Sequence, residues 1–287
     1  MSRLTRFSAA IAAGAAALLV LSACASNAPA EPEAPATDGT TAEAPALETI
    51  TPGKLTIATG EPAYAPWVLN NDPSSGEGFE AAVAYAVAEE LGFAAADVVW
   101  VGAAFEASIA PGPKDWDLNI QQFSITDERK QAVDFSSPYY VTTQAVVANA
   151  GNAAASATTV AELADAEIGV ASGTTSLTVA EEVLGTDNLK VYNSVDDLVQ
   201  ALQSDQIDAL VTDLPGAFYV RDAQLDDGVI VGQLESSQGG DEFAFVLPKG
   251  SALTAAVTAA VDALRDNGTL DQLAAEWIAE QGAPVLK

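Results

Sequence analysis

Histidine is absent from the 287 residues, cysteine occurs once, and the 11 basic residues are outnumbered by 40 acidic ones. Without imidazole there is no histidine general acid or base. With Cys24 as the only thiol, cysteine nucleophiles and the usual transition-metal ligand sets are also excluded. One cysteine allows no disulfide within the chain, and nothing in the sequence calls for a cofactor. The net charge of −29 argues against nucleic acid as a partner. Such a surface is also repelled by anionic lipid, so residence at a membrane would need an anchor rather than a basic patch.

What the chain does contain begins with MSRLTRFSAAIAAGAAALLVLSAC, in which two arginines precede an apolar run and then small residues. That order is expected of a secretory signal peptide over residues 1–23. The run from Phe7 to Ala23 is short for a bilayer span and has no basic stop-transfer cluster after it. Leu21-Ser22-Ala23-Cys24 resembles a bacterial lipobox, which implies that the Cys24 thiol is lipidated and becomes the new N-terminus. Loss of Arg3 and Arg6 would leave nine basic residues against 40 acidic, a net −31. Residues 24–50, rich in Ala, Pro, Thr and Glu and without apolar periodicity, are expected to form a flexible tether.

From about Ile50 the pattern becomes globular. KLTIATG predicts a strand, and FEAAVAYAVAEELG a helix with Phe79, Ala82, Val83, Ala86, Val87 and Leu91 on one face. VVWVGA and DLNIQQF predict two further strands. Thr126 can cap the next helix with Asp127 and Glu128 in its first turn, which puts Arg129 near a helix N-terminus. A second round follows: EIGVAS strand, GTTSLTVAEEVLG helix, LKVYN strand, SVDDLVQALQSD helix capped by Ser194, IDALVTD strand. Two amphipathic helices broken at Asn267-Gly268 end the pattern. Strands and helices alternating at this spacing predict an α/β protein of mostly parallel sheets flanked by helices, with ligand at the C-terminal ends of the strands.

KLTIATGEPAYAPW, GEGFEAAVAYAVAEELG, FSITDERKQAVDFSSPYY, IGVASGTTS, ALQSDQIDALVTD and FAFVLPKGS with DNGTLDQLAAEW run in one order from Lys54 to Ile278. In sequence and spacing they resemble the solute-binding proteins of bacterial ABC transporters, the polar amino-acid group called family 3. The resemblance implies a two-lobed fold of the type II periplasmic binding protein kind, joined by two hinge crossings. Lobe 1 is then expected over 51–142 and 239–287 and lobe 2 over 143–238, with the ligand between them.

On that resemblance Arg129 holds the α-carboxylate of an amino acid, its planar fork suiting a two-oxygen anion. Donors from the turn Gln122, Phe123, Ser124 to Thr126 assist it, as do Ser172, Thr174 and Thr175 from lobe 2. Asp213 receives the ammonium, Tyr64 and Trp67 pack over the side chain, and Glu61 falls where an acidic residue meets basic or amide side chains. Each position has a plainer reading. Arg129 could pair with Asp134 or a nearby glutamate. The Gly-Thr-Thr run could merely cap a helix, Asp213 could cap the helix at Leu214-Pro215, the aromatics could be core, and Glu61 could be exposed.

Two departures stand out. Gln121 and Gln122 replace the small residues usual before the S/T-I-T turn, and alternation along a strand would send one amide to each face, one of them toward the ligand. Gly239-Gly240-Asp241-Glu242 replaces the commoner aromatic-glycine pattern at the returning hinge. The function expected is capture of an amino acid outside the cytoplasmic membrane, polar or basic side chains favoured, by a monomer that delivers it to permease subunits and is held to the membrane by lipid. An enzyme resembling cyclohexadienyl dehydratases, with Glu61 as its acid, and a ligand-sensing module are the alternatives.

Overall fold

The computed structural model describes residues 47–237, 239–278 and 282–287. The signal peptide, Cys24 and most of the tether lie outside the described residues. The first lobe runs β1 (Leu55–Thr59), α1 (Phe79–Glu90), β2 (Val98–Gly102), α2 (Phe105–Ile109), β3 (Leu118–Asn119), α3 (Arg129–Ala132) and β4 (Val133–Thr142). The second runs β5 (Gln144–Asn149), β6 (Ile168–Ala171), α4 (Thr175–Leu184), β7 (Leu189–Tyr192), α5 (Val195–Gln203), β8 (Ala209–Asp213), α6 (Leu214–Tyr219) and β9 (Gly228–Leu234). The chain then returns through β10 (Asp241–Pro248) to α7 (Thr254–Asp266) and α8 (Thr269–Trp277).

Each lobe is built on a five-stranded sheet, ordered β2-β1-β3-β10-β4 in the first and β7-β6-β8-β5-β9 in the second. Pairings among β1, β2 and β3, and among β6, β7 and β8, are parallel. The antiparallel pairings involve β10 in lobe 1 and β5 in lobe 2, the strands by which the chain enters each lobe from the other. Thr143 alone separates β4 from β5, so the first crossing is as short as a crossing can be.

Burial explains the patterning. All five residues of β1 are buried, as expected of a strand covered on both faces. Along β5, Val146 enters one core cluster of lobe 2 and Val147 the other, the two faces of a pleated strand. Helix α1 buries a face displaced from the stripe expected: Glu80, Ala81, Ala84 and Ala88 are enclosed along with Phe79, Val83 and Val87, while Ala82, Ala86 and Leu91 are half-buried. It packs against α7 and α8 as well as the sheet, and its alanines let these neighbours approach closely. Ser194 caps α5 through Asp197 N at 3.1 Å, and Gly268, at φ 81°, separates α7 from α8.

The strand expected over DLNIQQF is shorter in the structure. It ends at Asn119, and at Gln122 the backbone takes a left-handed φ of 48°, so the alternation expected of the two glutamines does not hold. Residues 282–287, expected with lobe 1, lie instead on lobe 2. Gln233 N donates to Pro284 O at 2.7 Å, Leu286 N to Gln233 O at 3.0 Å, and Leu286, 5% exposed, joins a lobe 2 cluster. Their attraction is the open edge of β9, an unpaired row of donors and acceptors, and a slot left by Gly232. A Cβ at Gly232 would sit 2.7 Å from Leu286 Cγ and 2.9 Å from Pro284 O. Gly232→Ala should therefore dislodge the tail at a cost of about 1–3 kcal/mol. Hydrogen exchange would show the amides of Gln233 and Leu286 losing protection; unchanged protection would contradict this account of the tail.

Candidate ligand cleft

A cavity of about 440 Å³ lies between the two lobes, lined by Gly60 to Ala65 and Trp67, by Gln121, Gln122, Ser124 and Arg129, and by residues after β6, β7 and β8. The last three groups stand at the C-terminal ends of parallel strands, where such sheets present their loops.

Arg129 is 8% exposed. Its Nη1 donates to Ser124 O at 2.7 Å in lobe 1 and its Nη2 to Gly173 O at 2.9 Å in lobe 2, and its guanidinium stands 5.4 Å from the Phe105 ring centre. Among the described residues no carboxylate lies within ion-pair distance of it. Asp134 pairs instead with Lys249 at 3.0 Å, which disposes of the surface-pair reading. Burial pulls the guanidinium below its ordinary pKa, opposed by the charges of Asp241, Asp213 and Glu128.

Thr126 Oγ1 accepts from Arg129 N at 3.1 Å and so caps the turn, but it does not line the cavity. Phe123 does not line it either: fully buried, it stacks at 4.8 Å on Phe105, the ring beside the Arg129 guanidinium. Gln122, although part of the wall, turns its amide away. Its backbone N donates to Glu80 Oε1 at 2.7 Å, its Nε2 donates to Glu80 Oε2, and Tyr139 Oη donates to the same carboxylate. Burial pushes Glu80 up to about 7 while these three donors pull it down. The glutamine beside the cavity without a partner of its own is Gln121, whose Oε1 is enclosed and unpaired.

From lobe 2, Thr175 Oγ1 lies 3.1 Å from Ser124 Oγ, directly across the cleft. Thr174 acts as the N-cap of α4, accepting from Leu177 N at 3.2 Å, which is the plainer of its two readings. Ser172 Oγ donates to Glu106 Oε1 at 2.9 Å and Tyr64 Oη to Asp196 Oδ2 at 2.6 Å, two further bonds between lobes. Burial and Asp196 together raise the Tyr64 phenol. Trp67 reaches the wall, yet it is 5% exposed and its ring is enclosed by Phe79, Tyr140 and Phe243. The ring facing Tyr64 is Tyr219, at 6.1 Å. Glu61 is exposed at the rim, folded over Gly102. Glu106, Asp196 and Tyr219 carried no motif that singled them out.

Asp213 occupies the N-cap position of α6 but makes no capping bond. Its Oδ1 accepts from Gln144 Nε2 at 2.7 Å. Burial, then the neighbouring Asp241, raise it to about 7, with Gln144 and Arg129 opposing. Among the described residues no group of metal-ligating side chains gathers.

A family model for bacterial extracellular solute-binding proteins, family 3, matches residues 55–280. The chain belongs to this family. This family 3 protein is 29% identical over 230 residues to the L-cystine-binding protein TcyJ of Escherichia coli (strain K12), covering 79% of this chain and 82% of that one. It is 30% identical over 219 residues to an L-arginine-binding protein of Pseudomonas aeruginosa, covering 74% and 83%. Among solved structures, an ancestral arginine-binding protein bound to arginine superposes with a TM-score of 0.66 at 28% identity, over 79% of this chain and 99% of that one. The two-lobed fold is thus that of the periplasmic amino-acid-binding proteins.

A carboxyl raised to about 7 holds its proton more tightly folded than unfolded, so its ionisation costs stability between about pH 4 and 7, by up to about 1.4 kcal/mol per pH unit. Asp213→Asn should melt together with the parent at the acid end of that window and above it at the alkaline end. A parent more stable than the variant throughout would mean that the Asp213 charge is net stabilising in the empty cleft.

Proposed function

We propose that this family 3 protein is an extracytoplasmic lipoprotein that closes its two lobes on an amino acid and passes it to an ABC permease. The observation that carries the reading is Arg129, a buried cation at the meeting of the lobes with two carbonyls and, among the described residues, no carboxylate bonded to it. A ligand α-carboxylate would complete its fork, with Ser124 and Thr175 placed on either side. Asp213 would receive the ammonium, balancing the ligand's two head-group charges. Because Arg129 bonds to a carbonyl of each lobe, an anion bound there would strengthen the closed form over the open one.

The wall beyond the head group is acidic. Glu61, Glu106 and Asp196 line the cavity with Asp213, and among the described residues Arg129 is the one basic side chain in the lining. An aspartate or glutamate ligand would meet like charge in a site with little water, whereas glutamine, asparagine, arginine or lysine could donate to these acids. Tyr64 and Tyr219 offer faces for the aliphatic stem of such side chains and, for a cation, a modest further attraction. Relatives named for binding arginine agree with this preference.

The anchor belongs to the same reading. Lipidation at Cys24, outside the described residues, would hold a monomer at the outer face of the cytoplasmic membrane, with residues 24–50 as its tether. Mass spectrometry of the mature protein should find acylated Cys24 at the N-terminus. Ligand class is checked by thermal shift with the twenty amino acids, since a ligand at 100-fold its dissociation constant stabilises by roughly 2.7 kcal/mol. The larger shifts are expected from glutamine, asparagine, arginine or lysine; tighter binding of glutamate or aspartate than of all four would overturn the electrostatic reading.

A further inference from the structure

Asp241 opens β10 on the second crossing and does not line the cavity, yet its side chain is wired through Gln144 to Asp213, which does. Gln144, 2% exposed, opens β5 on the first crossing. Its Nε2 donates one hydrogen to Asp213 Oδ1 at 2.7 Å and the other to Asp241 Oδ2, while its Oε1 accepts from Ser176 Oγ at 2.7 Å. With both hydrogens and the carbonyl engaged, the amide has a single orientation, and it holds two carboxylates side by side. The hydroxyls of Thr175 and Ser124, bonded to each other at 3.1 Å, lie near Asp241 and help hold its pKa down, and the Arg129 charge acts on both carboxylates.

Charge counting gives this arrangement a consequence. The back of the cleft has one cation, Arg129, and two carboxylates, Asp213 and Asp241. An amino-acid head group adds one charge of each sign, so one carboxylate is in excess of what the head group can balance. We propose that Asp241 is a positioning residue that sets the strength of head-group binding, its charge opposing an incoming carboxylate at Arg129 and bearing on Asp213 through the shared Gln144 amide. The proposal rests on the reading of Arg129 and Asp213 as the head-group subsite.

The charged groups facing Asp241 are Arg129 from α3 and Asp213 from the end of β8; Ser124, Thr175 and Gln144 are neutral. Asp241 is among the causes that raise Asp213, and is itself raised by burial. A ligand ammonium would favour ionised Asp213, so binding should release a proton on the acid side of about 7 and tighten with rising pH up to that point. Removing the Asp241 charge should lower the pH at which this occurs.

Asp241→Asn keeps one oxygen as acceptor for Gln144 and removes the charge, exchanging the other oxygen for an amide donor. Calorimetry with the tightest binder of the twenty L-amino acids should show the variant binding about tenfold tighter near pH 6, with the midpoint of affinity against pH moved about one unit acidward. A role in hinge packing alone would weaken binding at every pH and leave the midpoint in place, which would overturn the proposal. Should that variant not fold, Asp241→Ser, which also removes the charge, takes its place with the same two outcomes: tighter binding with an acidward midpoint supports the proposal, and weaker binding at every pH with an unmoved midpoint overturns it. If none of the twenty amino acids binds the parent, the functional reading fails and this inference with it; if one binds and Asp241→Asn changes nothing, this inference alone falls.

Discussion

The Arg129 guanidinium is bonded to a carbonyl from each lobe and, among the described residues, to no carboxylate, and the rest of the cleft is arranged around it. Enclosing a cation without an ionic partner is costly. The structure bears that cost by packing the guanidinium near Phe105, which stacks on Phe123, and by aiming two carbonyls at it. The carboxylates of Asp213 and Asp241 help from beyond bonding distance. Part of the fork remains available to an anion, and because the bonds to Ser124 O and Gly173 O span the cleft, an anion held there is linked to the relative position of the lobes.

The turn that carries Ser124 is fixed from behind. Glu80, in the first turn of α1 and fully buried, collects the Gln122 amide, the Gln122 side chain and the Tyr139 hydroxyl. This explains how a residue other than glycine can hold a left-handed φ at position 122, a conformation that costs on the order of 1–3 kcal/mol and persists only where its surroundings enforce it. A buried carboxylate in the core of lobe 1 thereby determines where the lobe 1 carbonyl meets Arg129. At the hinge, Gln144 ties Asp213 to the returning strand in the same manner, and the tail on β9 adds contacts beside it, where Gln233 bonds both Thr143 and Ala283.

The alternation of strands and helices was legible because burial imposes it directly. Helix α4, helix α5, strand β8 and the break at Gly268 fall where periodicity and capping residues put them. Local pattern gave Arg129 only a place after a capping threonine and Asp213 only a place at the end of a strand; it was the family resemblance that singled them out as site residues. What was hidden depended on neighbours distant in sequence. The fate of Gln122 is decided by Glu80, 42 positions away, and that of Asp213 by Gln144, 69 positions away. Phe123 followed the pattern of a site residue but is core. Glu106 and Asp196 are two acids among 40 and become notable only when the fold brings them to Ser172 and Tyr64. The tail Ala-Pro-Val-Leu-Lys is too short for periodicity; its place is set by the empty slot at Gly232.

The measurement that bears most directly on this account is calorimetry of Arg129→Ala with an amino acid that binds the parent. Truncating one partner of a buried charge pair costs roughly 3–5 kcal/mol, so affinity should fall on the order of 10²–10³-fold or more, in a protein that still folds. A folded variant that keeps its affinity within about tenfold of the parent would contradict the central claim, because the ligand anion would then be held elsewhere.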